Sequence, residues 1–168
     1  MRKILLFLES LTMFSLIACS TIEMPDVSKG RQLILDGKAE CVMMNNNEII
    51  AVESGRGLSP LLRMYDKHKS QMKDAVIVDK VIGRAAASIA IYGKARYVYG
   101  EVMSEDAVEY LKEHKIDSGY TLLVPRILNR KRNGLCPLEK SVEGINDPDK
   151  ALTALRTKIA ELSKANKK

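Results

Sequence analysis

An apolar tetrapeptide, Ala75-Val76-Ile77-Val78, runs through Asp79-Lys80 into a stretch of mostly small and apolar residues, Val81-Ile82-Gly83-Arg84-Ala85-Ala86-Ala87-Ser88-Ile89-Ala90-Ile91-Tyr92. A short unbroken apolar run suits a strand covered on both faces, and a helix apolar on all sides has no solvent face to offer. The pair predicts a central strand feeding a buried crossover helix, which commits the chain to an α/β fold. With 168 residues, 46% of them hydrophobic and 29% charged, the chain is long enough to bury one core without disulfide or metal staples.

The flanking segments fill in that fold. Residues 26–37 carry Leu33-Ile34-Leu35 and close on Asp36-Gly37, which predicts a short first helix. Residues 40–44 and 48–52, separated by Asn45-Asn46-Asn47, predict a hairpin, because asparagine tolerates positive φ. Ser59 and Pro60 have the form of an N-cap and first helical residue for a helix reaching about Gln71. A second strand spans residues 96–103. Ser104-Glu105-Asp106 then starts a helix with acidic residues where the dipole favours them. The last strand, residues 120–124, stops at Pro125. Cys136-Pro137 opens a short helix, and Asp147-Pro148 caps a final amphipathic helix bearing Ala151, Leu152, Leu155, Ile159 and Leu162. The expectation is a three-layer α/β sandwich on a mixed five-stranded sheet, in one domain over residues 24–168. Its last three strands are parallel, because helices join them.

Residues 1–23 stand apart. Met1-Arg2-Lys3 before Ile4-Leu5-Leu6-Phe7-Leu8 opens like a secretory signal, and Leu16-Ile17-Ala18-Cys19 has the form of a bacterial lipoprotein cleavage box with Cys19 as the lipidated residue. Glu9 and Ser10 interrupt the apolar run, where an acidic side chain costs about 2.5–3.5 kcal/mol on an insertion scale. The run is also too short and broken to span a bilayer. Two locations stay open: a cytoplasmic protein translated from Met24, carried forward as the expectation, and a membrane-anchored lipoprotein held through Cys19. Cys19, Cys41 and Cys136 form neither a Cys-x-x-Cys pair nor an even framework, so neither a disulfide scaffold nor structural zinc is expected. The net charge of +6 is spread along the chain, with two Phe and no Trp. Nucleic-acid binding asks for clustered charge and aromatic platforms. The expected partner is therefore a small anionic metabolite rather than a nucleic acid. A homodimer through helical faces is left open.

Ligands of open α/β sheets collect beyond the carboxyl ends of the parallel strands, an edge that gathers Asp79, Lys80 and Glu101. Asp79 reads as a helix cap compatible with a ligand role, and Lys80, opposing a helix dipole, needs an anion or a carboxylate such as Asp79 or Glu101. Gly83 and the alanines after it read as helix–sheet packing residues. Arg56 between Gly55 and Gly57 reads equally as an anion cradle before Ser59 or as a solvated turn. Cys136 stands at an N-cap with Glu139 three residues on, a capping-box spacing with sulfur in place of oxygen, and such a placement favours a nucleophilic thiolate. No histidine is placed to serve it, since His68 and His114 fall on helices beside lysines. Arg126, Arg130, Lys131 and Arg132 form a basic loop that reads as solvated, though Asn129-Arg130 can face the site.

Four blocks carry a resemblance: Arg56-Gly57-x-x-Pro60-Leu61-Leu62, Asp79-Lys80-Val81-x-Gly83-x-Ala85-Ala86-Ala87, Glu101-Val102-x-Ser104, and Asn129-Arg130 followed by Cys136-Pro137-x-Glu139-Lys140. Through them residues 26–162 resemble a small family of uncharacterised bacterial and archaeal domains with the cytidine deaminase-like fold. The resemblance implies that fold and no established activity. Zinc deaminases place His-x-Glu at one helix start and Pro-Cys-x-x-Cys at the next. Neither residues 55–60 nor residues 79–83 hold that set, so zinc-activated deamination is not expected, and no cofactor is. The function expected is binding of an anionic, nucleotide-like molecule in a metal-free cleft. Arg56, Gly57, Ser59, Asn129, Arg130, Glu139 and Lys140 are the candidate ligand-binding residues, and Asp79, Lys80, Glu101 and Cys136 the candidate catalytic ones. The alternative is a non-catalytic sensor or interaction domain on the same scaffold.

Overall fold

The computed structural model describes residues 24–165, so the leader and its Cys19 box lie outside the described residues. The chain runs α1 (Ser28–Leu35), β1 (Cys41–Asn45), β2 (Glu48–Glu53), α2 (Ser59–Met72), β3 (Val76–Ile82), α3 (Arg84–Tyr92), β4 (Tyr97–Ser104), α4 (Glu105–Glu113), β5 (Asp117–Val124), α5 (Pro137–Val142) and α6 (Pro148–Ala165). One mixed sheet holds all five strands in the order β2-β1-β3-β4-β5. β1 is antiparallel to both neighbours, whereas β3, β4 and β5 are parallel. The hairpin turns on Asn46 and Asn47 with φ of 47° and 62°, the left-handed pair that a two-residue turn demands. Among the described residues no helix is long and apolar enough to cross a membrane.

The strands sort their side chains between two cores. Val42, Met44, Val76, Val78, Tyr97 and Tyr99 pack with Ile34 of α1 on one face. Cys41, Met43, Ile77, Ile82, Val98 and Met103 pack with α2, α3, α4 and α6 on the other, through Leu61, Met64, Ile89, Leu111 and Leu155 among others. Ile77 and Ile82 share a face although five residues apart, as do Val98 and Met103. Strict alternation forbids an odd spacing, so both strands slip by one residue before their carboxyl ends.

That slip lengthens the central strand beyond the predicted boundary. Asp79 pairs with Cys41 on one side and Gly100 on the other, and Val81 and Ile82 pair with Val102 and Met103. Asp79 and Lys80 therefore lie inside β3, not at a helix start. Ladder partners on the flanking strands override the local signal for a cap. The helix begins at Arg84, three residues after Val81, with Gly83 as an extended N-cap. Smaller shifts have the same character: Leu58, not Ser59, is the N-cap of α2, and β5 starts at Asp117 rather than at residue 120. Ser104 and Asp147 do cap α4 and α6, accepting from the amides of Ala107 and of Asp149 and Lys150.

Arg84 ties the helical layer together. Its Nη1 donates to Asp106 Oδ1 at 2.8 Å, and its Nη2 to Asn146 Oδ1 at 2.7 Å and to the Ile145 carbonyl at 3.0 Å. The guanidinium lies 3.9 Å from the Tyr110 ring centroid. One buried side chain thus joins α3, α4 and the segment between α5 and α6. Truncation leaves the half-buried Ile145 carbonyl without this donor and removes the contacts with Asn146 and Tyr110, so Arg84→Met is expected to lower stability by about 1–3 kcal/mol. Asp106→Asn, at a half-exposed carboxylate, should stay within about 1 kcal/mol. Urea unfolding checks both, the midpoint falling with an unchanged slope.

Candidate functional site

The carboxyl ends of β3 and β4 and the starts of α2, α3 and α4 line a groove covered by residues 125–139. The groove has three adjoining cavities. The central one, about 130 Å³, is lined by Glu40, Gly57, Leu58, Asp79, Lys80, Val81, Gly83, Ala85, Ala86, Ile127, Cys136, Leu138 and Glu139. A neighbour of about 220 Å³ shares Gly57, Leu58 and Leu138 and adds Arg56, Ser59 and Arg130. On the other side a cavity of about 350 Å³ shares Ile127 and Glu139 and adds Glu105, Asp106, Glu109, Arg126 and Glu143. The groove is thus basic at one end and acidic at the other.

Local structure fixes each end. Gly57 has φ of 59°, a left-handed value that glycine adopts at no cost, and it turns the chain into α2 so that Arg56 borders the groove. Arg63 clamps this turn, donating to Glu53 Oε2 at 3.0 Å and to the Ser54 carbonyl. No side chain caps the first turn of α2, so its amides remain available to an anion.

Of the three carboxyl residues that line the central cavity, Glu40, Asp79 and Glu139, the last two are raised by burial. Asp79 Oδ1 accepts from the Val81 amide at 3.0 Å, and Cys41 lies opposite it on β1. Burial raises the Asp79 carboxyl to about 7 against the pull of these hydrogen bonds. Lys80 does not pair with it: its Nζ donates to Glu40 Oε1 at 3.1 Å. Glu139 Oε1 accepts from the Ala85 amide at 3.2 Å, a bond from α5 to the start of α3. Burial lifts this carboxyl to about 7 as well, opposed by the amides of Ala85 and Arg84. A Cβ on Gly83 would overlap the Glu139 carboxylate, so the glycine makes room for the carboxyl.

Cys136 is the N-cap of α5, as its spacing suggests, but its thiol makes no capping bond. The capping box does not form because Glu139 turns to α3. The central cavity gathers Gly57, Asp79, Lys80, Cys136 and Glu139, and the basic cavity gathers Arg56, Ser59 and Arg130. Three candidates lie elsewhere. Glu101 projects toward α1, where Arg31 holds it through Nε at 2.6 Å and Nη2 at 3.1 Å, Thr121 donates to it at 2.7 Å, and Arg31 lowers its pKa. Asn129 closes its own loop, with its amide on the Gly134 carbonyl at 2.9 Å and its side chain on Asn133. Lys140 is exposed on α5 and lines none of the three cavities.

Sequence reasoning missed Glu40 and the acidic wall. Glu40 becomes visible only once β1 is known to pair with β3, and Glu105 and Asp106 read locally as helix-start acids. Arg84 had one signal, a guanidinium at the start of an otherwise apolar helix. Among the described residues no group of three or more His, Cys, Asp or Glu side chains is arranged to hold a metal ion.

The two raised carboxyls give a pH dependence of defined sign. Each is protonated in both states below its ordinary value near 4. Between there and about 7 the unfolded chain ionises first, so stability falls as pH rises through that window and levels off above it. Asp79→Asn and Glu139→Gln should each flatten the fall. Chemical unfolding at pH 5, 6, 7 and 8 measures this, and a wild-type stability that rises from pH 5 to pH 8 would contradict the assignment.

The family model described as TM1506, a domain of unknown function (DUF1893), matches residues 31–159. Among solved structures, the chain is similar to a DUF1893 family protein (TM1506) from Thermotoga maritima, with a TM-score of 0.66 at 20% identity, covering 79% of this chain and 87% of that one. None of the curated proteins matches. The fold likeness spans most of both chains, and the family match runs from within α1 to within α6: the chain belongs to the DUF1893 family.

Proposed function

We propose that this chain is a cytidine deaminase-like domain that binds a small anionic, nucleotide-like molecule in the groove without a metal, and that Asp79 and Glu139 exchange protons with it. One observation carries the reading: two carboxyls raised to about 7 line a small, partly apolar cavity and neither pairs with a cation. A carboxyl with a pKa near the working pH is present in both forms, so one donates while the other accepts. The anionic part of the ligand lies against Arg56, Arg130, Ser59 and the free amides of α2. Its uncharged part enters the central cavity, whose volume suits a single small ring. Cys136 borders that cavity as a thiol within reach of the bound molecule. A sensor without catalysis is favoured by a different observation, that Glu139 is already engaged at the start of α3.

A thermal-shift panel of nucleosides, nucleotides and sugar phosphates is expected to yield a stabiliser. Arg56→Ala and Arg130→Ala should each weaken it about tenfold, equivalent to about 1.4 kcal/mol. A panel without any stabiliser would overturn the reading. With a stabiliser in hand, bound ligand should slow alkylation of Cys136, while fully buried Cys41 stays unreacted throughout. Turnover lost in Asp79→Asn or Glu139→Gln with binding retained separates the enzyme from the sensor.

A further inference from the structure

β5 is an edge strand of eight residues that keeps one constant register against β4, from Tyr97↔Asp117 to Ser104↔Val124. From Ser118 to Pro125 it carries no charged residue. Tyr120, Leu122 and Leu123 are 43%, 54% and 38% exposed, and Leu128 beyond them is 50% exposed. An open edge with unpaired backbone groups invites another strand, and proteins ordinarily guard such edges with bulges, inward charges, interior prolines or short length. β5 has none of these within its span. The opposite edge is guarded: the β1–β2 ladder shifts register at Met43/Met44, and β2 begins and ends on Glu48 and Glu53.

The charges at the ends of β5 select the occupant. Asp117 opens the strand and Arg126 follows it, and Arg126 reaches Glu143 of its own chain only at 4.0 Å. An antiparallel partner of the same sequence brings each Asp117 to the Arg126 end of the other copy, with uncharged residues between. A parallel copy would set Asp117 beside Asp117. Two-fold symmetry supplies the antiparallel arrangement without further adjustment.

We infer that the free edge of β5 pairs antiparallel with β5 of a second copy, joining the two sheets into one across a two-fold axis. The interface is this edge, not the helical faces named by the sequence. Main-chain hydrogen bonds give it affinity, and Tyr120, Leu122 and Leu123 lose exposed apolar area against their counterparts.

Sedimentation of the full chain with hydrogen exchange on the same sample tests this. The expected result is a dimer whose amides in residues 118–124 exchange more slowly as concentration rises. Leu122→Lys and Tyr120→Glu, both at exposed positions, should each raise the dissociation constant about a hundredfold while leaving the circular dichroism of the fold unchanged. A monomer at sub-millimolar concentration overturns the inference, including one whose β5 amides are protected by another part of the chain. A dimer that survives both substitutions overturns it equally, because its interface lies elsewhere.

Discussion

α3 is buried from Arg84 through Ile91, and its first turn forms one wall of the central cavity, so its amides there call for a partner. Gly83 offers no side chain to cap them. The Glu139 carboxyl does so from α5, reaching the Ala85 amide across a separation of 54 residues. This one bond sets the position of the covering segment. Residues 125–139 return over the carboxyl edge of the sheet, closed by the Leu128↔Leu135 bridge. The groove exists because that return leaves cavities on both sides of Glu139. Gly83 follows from the same demand, since any side chain there would occupy the place of the carboxyl.

Much of the fold is legible in short-range signals. The Asn46-Asn47 turn, the Ser104 and Asp147 caps, and the parallel run of β3, β4 and β5 each follow from a few adjacent residues or from the helices joining strands. The end of β3 does not. Asp79-Lys80 carries the chemistry of a helix start, but β1 and β4 continue the ladder past it on both sides, and partners distant in sequence outrank a local preference. Glu101 illustrates a different limit. It lies within β4 and its side chain turns to Arg31 of α1, an arrangement set by a partner distant in sequence. The turn that sets Arg56, Gly57 and Ser59 beside one cavity was readable because it is made by local backbone geometry. The acidic wall was not, because α4 and α5 are brought to one cavity by packing each against α3.

Asp79 and Glu139 reach similar pKa values by different routes. Asp79 stands in the ladder beside Cys41, itself raised by burial and by the Asp79 charge, and near the carboxylate of Glu40. Glu139 sits against helix amides that favour its ionised form, with Asp106 opposing them. What the two share is the diversion of nearby cations. Lys80 follows Asp79 directly in sequence but donates to Glu40. Arg84 begins the helix that Glu139 caps, but its guanidinium is held by Asp106, Asn146 and the Ile145 carbonyl. A direct ion pair to either cation would hold the carboxyl ionised well below neutrality. Fixing Lys80 and Arg84 elsewhere leaves burial as the dominant influence on both carboxyls, which is why each is raised to about 7.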